Sequence, residues 1–294
     1  MEYHKDRFED ASLMAYMKGQ IVAALPANID GNKVYSHQGL TYGGILVDKK
    51  QTSTMILLII SEFLKYYSEK SFSTLLLKTP PSIYLLPGHE IVDYAMCLLQ
   101  AKVYRTDLTY AVEMSFNYKS LSQRRKRSLK KALQYGVEVH KVDQFDTFWE
   151  GVLTPNLRER HNTCPVHSRE EIALLNKLNP GCIHQFNACF KDQIVAGITI
   201  FETNRVAHAQ YIASTPLGRS THALDILVNK LMTEEFAHKD YFNFGIVNEK
   251  EGAVINKGLL EWKESFGAKP YVHKFYEIET LAYKKLRNIA DSLI

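Results

Sequence analysis

RVAHAQYIASTPLGRSTHALDILVNKLMTEEFAHKDYFNFGIV, running from Arg205 to Val247, divides by pattern into four parts. They are a strand (RVAHAQYIA), a turn (STPLGRS), an amphipathic helix (THALDILVNKLMTEEFAHK) and a second strand (YFNFGIV). Leu224, Leu227, Val228, Leu231, Met232 and Phe236 recur at helical spacing, which makes one apolar stripe that must lie on a sheet. Ser220 or Thr221 can cap the first turn of this helix. A strand that feeds a helix through a Gly-containing turn gathers amide N–H groups at the positive end of the helix dipole. Leu217, Gly218, Arg219, Ser220 and Thr221 therefore read as an anion site, although most helix N-termini bind nothing.

The rest of the chain bounds this reading. With 294 residues, 46% of them hydrophobic, there is material for a sizeable core in one large domain or two ordinary ones. The longest apolar run, Met55 to Ile60, is far too short for a bilayer, and the start MEYHKDRFED is charged with no apolar segment behind it. The expectation is a cytoplasmic protein without a membrane span. Cys97, Cys164, Cys182 and Cys189 form no C-x-x-C pair, so they read as reduced thiols and no metal site is expected. A net charge of +4 does not by itself call for nucleic acid.

Taken in order, the first part reads hairpin, strand, helix, strand, helix, strand. Residues 120–135 then form a helix, with Ser120 and Gln123 in capping-box spacing and Gly136 at the left-handed C′ position. Its RRKRSLKK run is either a solvated linker face or a surface that meets the phosphates of a nucleotide or RNA. Beyond it the earlier order returns. KGQIVAA (18–24) matches KDQIVAG (191–197), LQAK (99–102) falls on FGAK (266–269), and SHQGLTYGG holds the place of HAQYIASTPLG. Two matches with the same elements between them indicate a tandem of related α/β units, the first lacking the strand and two helices that open the second. The boundaries expected are 1–118, a basic bridging helix at 119–135, and 136–294.

A mixed sheet in the order strand, two helices, three antiparallel strands, helix, strand, helix, strand resembles the GNAT acyltransferase fold. Two such units joined by a basic helix resemble the Fem-type peptidoglycan aminoacyltransferases and related bacterial acetyltransferase-like proteins. The resemblance rests on RRKRSLKKALQYGVEV, YFNFGIV and GLLEWKESFGA, within roughly residues 120–280. It implies a mixed-sheet α/β (α+β) fold of two tandem GNAT-like units, the first truncated. It also implies acyl transfer from acetyl-coenzyme A or another acyl-coenzyme A to an amine or hydroxyl of a sugar or cell-envelope precursor. Aminoacyl-tRNA is the alternative donor, and a catalytically inactive tandem that binds a ligand is the third reading. The usual coenzyme A loop (Gln or Arg, two residues, Gly, one residue, Gly or Ala) here reads Thr215-Pro-Leu-Gly218-Arg-Ser220, and Pro216 removes one amide. The long coiled-coil arm of several Fem-type members has no counterpart.

Such a transfer needs positioning, donors for an oxyanion and a base, and no covalent nucleophile. On strand 205–213, His208 and Gln210 share one face while Tyr211 and the alanines share the other. His208 is a candidate base, although a strand histidine is more often a hydrogen-bonded structural residue. Tyr211 and Asn243 complete the catalytic candidates. The polar connection RERHNTCPVHS offers Arg160, His161 and His167 for the acceptor, or else an exposed loop in which Ser168 and Glu171 form a capping box. His37, Gln38 and Tyr42 of SHQGLTYGG are further acceptor candidates, as is Asn248, which equally suits a turn.

Overall fold

The computed structural model describes residues 6–115 and 121–293. The chain forms two compact units: Met1–Leu108 with Lys250–Ala253 and Val272–Ile294, and Thr109–Glu249 with Val254–Tyr271.

The first unit contains β1 (Glu9–Asp10), β2 (Leu13–Met17), β3 (Gln20–Leu25), β4 (Asn28–Asp30), β5 (Lys33–Tyr35), β6 (Leu46–Val47), α1 (Ser53–Glu69), β7 (Thr74–Lys78) and α2 (Ile91–Leu98). The strand β8 (Lys102–Glu113) begins in it and ends in the second unit. From the C-terminal end it takes most of β16 (Lys269–Glu279) and all of α10 (Tyr283–Asp291). One sheet runs β1-β4-β5-β7-β16, and β2-β3-β6 form a second, smaller one. Thr52 caps α1 by accepting from the Met55 amide. The apolar face of α1 buries Leu57, Ile60 and Leu64 in a core with Leu75 and Leu77 of β7 and with Leu286 and Ala290 of α10.

The second unit contains α3 (Gln123–Tyr135), β9 (Glu138–Val142), α4 (Asp146–Phe148), α5 (Thr154–His161), α6 (Arg169–Leu178), β10 (Ile183–Phe190), β11 (Gln193–Glu202) and β12 (Val206–Ser214). After these come α7 (Pro216–Ser220), α8 (Ala223–Lys230), β13 (Tyr241–Ile246), β14 (Asn248–Glu249), β15 (Val254–Ile255) and α9 (Lys257–Glu264). Its sheet runs β8-β13-β12-β11-β10-β9, and only the β12–β13 pair is parallel. The expected stripe is buried at Leu227, Val228, Leu231, Met232 and Phe236. A π-helical turn, Trp149–Leu153, joins α4 to α5 just before Pro155. The π turn admits the proline, which has no amide to donate into the helix. Gly136 ends α3 in the left-handed region as expected, but the N-cap is Ser122, which accepts from the Arg125 amide. Ser120 lies outside the described residues.

The internal repeat survives as local geometry. Lys18-Gly19 (φ 51 and 77) and Lys191-Asp192 (φ 48 and 61) both turn their hairpins through two left-handed residues, the signature of a type I′ turn. Gln100 (φ 55) and Gly267 (φ 88) follow α2 and α9 in the same conformation. In each unit one parallel pair matches over three residues, Lys33–Tyr35 with Thr74–Leu76 and Val206–His208 with Tyr241–Asn243. The last strands are exchanged: β16, from the second repeat, pairs with β7, while β8, from the first, pairs with β13.

Candidate active site

The parallel pairing of β12 with β13 stops at His208 and Asn243. Beyond that point β13 turns away, because Gly245 adopts φ 76 and the register with β8 shifts between Asn243 and Ile246. Asn243 fixes the bulge. Its side chain is fully buried, and its Oδ1 accepts from the Gly245 amide and the Thr109 hydroxyl, both at 2.8 Å. β12 meanwhile continues along β11 to Ser214. The pairing of the two central strands therefore ends here while each continues along its outer neighbour.

Two basic side chains meet this fork. His208, 7% exposed, has Nε2 3.1 Å from the Gln210 side-chain oxygen, and its ring lies beside Gly245. Burial, with the Lys263 charge added, pulls its pKa down to about 4, so the imidazole is neutral at pH 7. Lys263 of α9 is 2% exposed and donates from Nζ to the carbonyls of Gly245 (2.8 Å) and Ile246 (2.7 Å). Burial lowers its pKa to about 7. An ammonium has three protons, so one remains beyond those two carbonyls. Lys263 was not among the candidates read from the sequence. The signal available was a lysine three residues before Phe266, on the face of α9 that the aromatic residues Trp262 and Phe266 mark as buried.

The turn expected to hold a donor phosphate is occupied by its own chain. Thr215 caps α7, and its hydroxyl takes the Gly218 amide at 3.0 Å. The amides of Arg219 and Thr221 go to the carbonyls of Thr215 and Leu217. Ser220 and Thr221 donate their hydroxyls to Leu217 O at 2.9 Å, and Arg219 reaches Ser214 O. Gly218 is buried, and a Cβ there would collide with Val195 O and the Ser214 hydroxyl. Its glycine is thus explained by packing. Leu217 is 41% exposed.

His167 and Tyr211 come together. The His167 Nδ1 lies 2.6 Å from the Tyr211 hydroxyl, which also accepts the His167 amide at 3.2 Å. The Tyr211 ring packs on Trp149, whose indole N–H donates to His167 O. Ser168 and Glu171 form the expected capping box. Arg160 is exposed on α5, and the His161 side chain lies outside the described residues.

Three other candidates sit in the first unit. His37 is buried, with Nδ1 accepting from the Gly39 amide. Gln38 exchanges hydrogen bonds with Asn28, and Tyr42 packs on Tyr84 and His273. Asn248 is paired in the β14–β15 hairpin.

The basic helix α3 has two faces. Arg125 is buried, ion-paired with Asp225 of α8 and stacked 4.4 Å over Phe266. Arg124, Lys126, Arg127, Lys130 and Lys131 are exposed.

No protein-family model and no curated protein sequence matches the chain. Solved structures do. FemX superposes with a TM-score of 0.69 at 11% identity over 97% of this chain and 92% of that one. The C-terminal domain of a putative lysylphosphatidylglycerol synthetase from Agrobacterium fabrum gives 0.64 at 12% over 95% and 87%. A tandem GNAT protein from the clavulanic acid biosynthesis pathway gives 0.52 at 10% over 95% and 86%. Identity this low speaks to architecture, and the fold of this chain is that of the tandem GNAT-like proteins, with FemX among its structural relatives.

Proposed function

We propose that this chain is an acyltransferase whose second unit joins an activated acyl group to an amine or hydroxyl where the pairing of β12 and β13 ends. The observation that carries this reading is the fork: parallel strands that part beyond His208 and Asn243, with a buried ammonium on the carbonyls of the bulge.

The acceptor nitrogen or oxygen attacks the acyl carbonyl, and its lone pair forms the new bond while the carbonyl π electrons move to oxygen. The third proton of Lys263 and the backbone of the parted β12 stabilise that oxyanion. When the oxygen lone pair re-forms the carbonyl, the bond to the leaving thiolate or alkoxide breaks. The proton lost by the acceptor passes to the neutral His208 or to water and from there to the leaving thiolate or alkoxide. Tyr211 and His167 brace the connection that bears the acceptor-side residues.

Two donors suit this site. Acyl-coenzyme A is the reading carried by the GNAT resemblance. The engagement of the Gly218, Arg219 and Thr221 amides within the turn favours an aminoacyl ester on tRNA instead, since those three are not offered to a pyrophosphate, and the exposed basic residues of α3 suit an RNA backbone. The acceptor on either reading is an amine or hydroxyl of a sugar or cell-envelope precursor. Thermal-shift titrations with acetyl-coenzyme A, aminoacyl-tRNA and uncharged tRNA separate the cases. Stabilisation by aminoacyl-tRNA supports the ester donor and stabilisation by acetyl-coenzyme A the thioester. No response to any of them leaves a non-catalytic ligand-binding tandem.

A further inference from the structure

The two repeats share one hairpin, bulge included, and a face of it that is roofed in the second unit is bare in the first. In β10–β11 the register shifts between Ala188 and Cys189, so that Ala188 faces Ala196 and Cys189 faces Ile194. In β2–β3 it shifts between Ala15 and Tyr16, with Ala15 opposite Ala23 and Tyr16 opposite Ile21. On the next strand Gly197 pairs with Ala213, and Ala24 pairs with Leu46. Ile21, Ala24 and Leu46 therefore stand where the second unit has Ile194, Gly197 and Ala213.

In the second unit this face carries the helical segments that open it. Ile194 and Ala213 pack in a core with Phe148 of α4, Trp149 and Ile172 of α6, and a Cβ on Gly197 would collide with the Phe148 ring. Among the described residues only β1 precedes β2, so the first unit has no such helices to lay there. Met14, Tyr16, Ile21 and Leu46 are left 54–59% exposed. They form one continuous patch: Met14 and Leu46 flank Ala24, and the Tyr16 hydroxyl lies 3.8 Å from Met14 Sδ.

Shape, size and charge decide what suits the patch. Gly197 and Ala213 make room for a ring from above, whereas Met14, Tyr16 and Leu46 project outward. Three strands about 10 Å across and two rows about 7 Å apart give a footprint of at most roughly a few hundred Å². A stable protein partner covers about 800 Å² per side, while a lipid boundary needs only a few inserted side chains. The Asp48 amide donates to Val22 O, which carries β6 onward to the end of the sheet where Lys18 and Gly19 turn the hairpin. Lys49 and Lys50 follow there, and all three lysines are exposed. Asp48 folds into its own turn, accepting the Lys50 amide at 3.2 Å, and Asp10 lies at the opposite end, bonded to Ser12.

We propose that this face docks the chain on an anionic lipid surface, with Met14, Tyr16, Ile21 and Leu46 entering the headgroup boundary and Lys18, Lys49 and Lys50 meeting the lipid phosphates. The arrangement, apolar side chains in one patch with cations along its end, is that of a peripheral membrane contact. It stands apart from the acyl-transfer reading and is tested without donor or acceptor.

The test is co-sedimentation of the full-length protein with sucrose-loaded vesicles of phosphatidylcholine alone or in an equal mixture with phosphatidylglycerol. The protein binds the mixed vesicles, and added salt weakens that binding. K18Q/K49Q/K50Q weakens it by about fivefold per lysine, about a hundredfold in all. I21S/L46S weakens it at least tenfold, and circular dichroism confirms that both variants are folded. Y16W adds a tryptophan that brominated phosphatidylcholine in the mixed vesicles quenches beyond the wild-type response. Failure of the wild type to bind mixed vesicles overturns the proposal. Binding that both variants retain does so too, since it belongs to another basic surface such as α3. Loss in the lysine variant alone, with Y16W unquenched, overturns the insertion. A concentration-dependent dimer that I21S/L46S abolishes, in a protein that ignores vesicles, assigns the face to a second copy instead.

Discussion

Replacing Lys263 by methionine tests the buried ammonium at the fork. In the folded protein its pKa drops from 10.5 to about 7 because burial penalises the charged form. At ~1.4 kcal/mol per pKa unit, that drop makes the charged fold roughly 5 kcal/mol less stable than it would be with a solvated amine. Below pH 7 both the folded and the unfolded chain carry the proton, so the penalty is present in full. Between pH 7 and 10.5 the unfolded chain binds more protons than the folded one, and stability rises with pH. Above 10.5 both are neutral. The wild type should therefore gain up to about 5 kcal/mol across this window relative to K263M, in which the slope from this group is absent. The net effect on stability at pH 7 is smaller, because K263M removes the penalty but leaves the carbonyls of Gly245 and Ile246 without their donors, at about 1–3 kcal/mol each. The assay is urea unfolding at pH 7, 8, 9 and 10 followed by tryptophan fluorescence. Trp149 and Trp262 are the protein's two tryptophans and both belong to the second unit, so the signal reports that unit. Parallel stability curves for wild type and K263M across these pH values would refute the reasoning.

The other predictions use the same fluorescence readout. G218V should destabilise the second unit by about 1–3 kcal/mol or more, since its side chain has no room against Val195 O and Ser214; an unchanged urea midpoint contradicts this. R125M or D225N alone should cost about 3–5 kcal/mol by stranding a buried charge, while R125M/D225L recovers most of the loss. A double variant no better than either single one would show that the pair acts by something other than charge. Y211F should cost about 1–2 kcal/mol through the lost bond to His167 and, under the proposed function, should raise KM for the acceptor more than it lowers kcat. A change confined to kcat would place Tyr211 in the chemistry.

What the sequence made legible was periodic and local. The stripe from Leu224 to Phe236, the Ser168–Glu171 capping box, Gly136 and the two related hairpins each follow from spacing within a few residues. The features that remained hidden depend on partners far along the chain. In α3 the basic run conceals a second period, Arg125, Ser128 and Ala132, and that is the buried face because Asp225 waits opposite Arg125. Lys263 looks like any surface lysine until the bulge at Gly245 presents two carbonyls to it. The 215–221 turn is the converse case. Its glycine and hydroxyls suit an anion cradle, and only the folded turn shows that Thr215 and Leu217 have already taken those donors and hydroxyls.

The exchanged last strands set an order of events during synthesis. The first unit emerges from the ribosome first, yet its core includes Tyr276, Ile278, Leu286 and Ala290. More than two hundred residues beyond α1 must be translated before β16 and α10 can complete the core that Leu57 and Leu64 share with Leu75 and Leu77. The second unit takes no segment beyond Tyr271, so it can close while the earlier one is still incomplete. The half of the protein made first is thus the half that finishes last. During that interval the part of α1 that later meets Leu286 and Ala290 is exposed apolar surface, the kind that makes incomplete domains prone to aggregate.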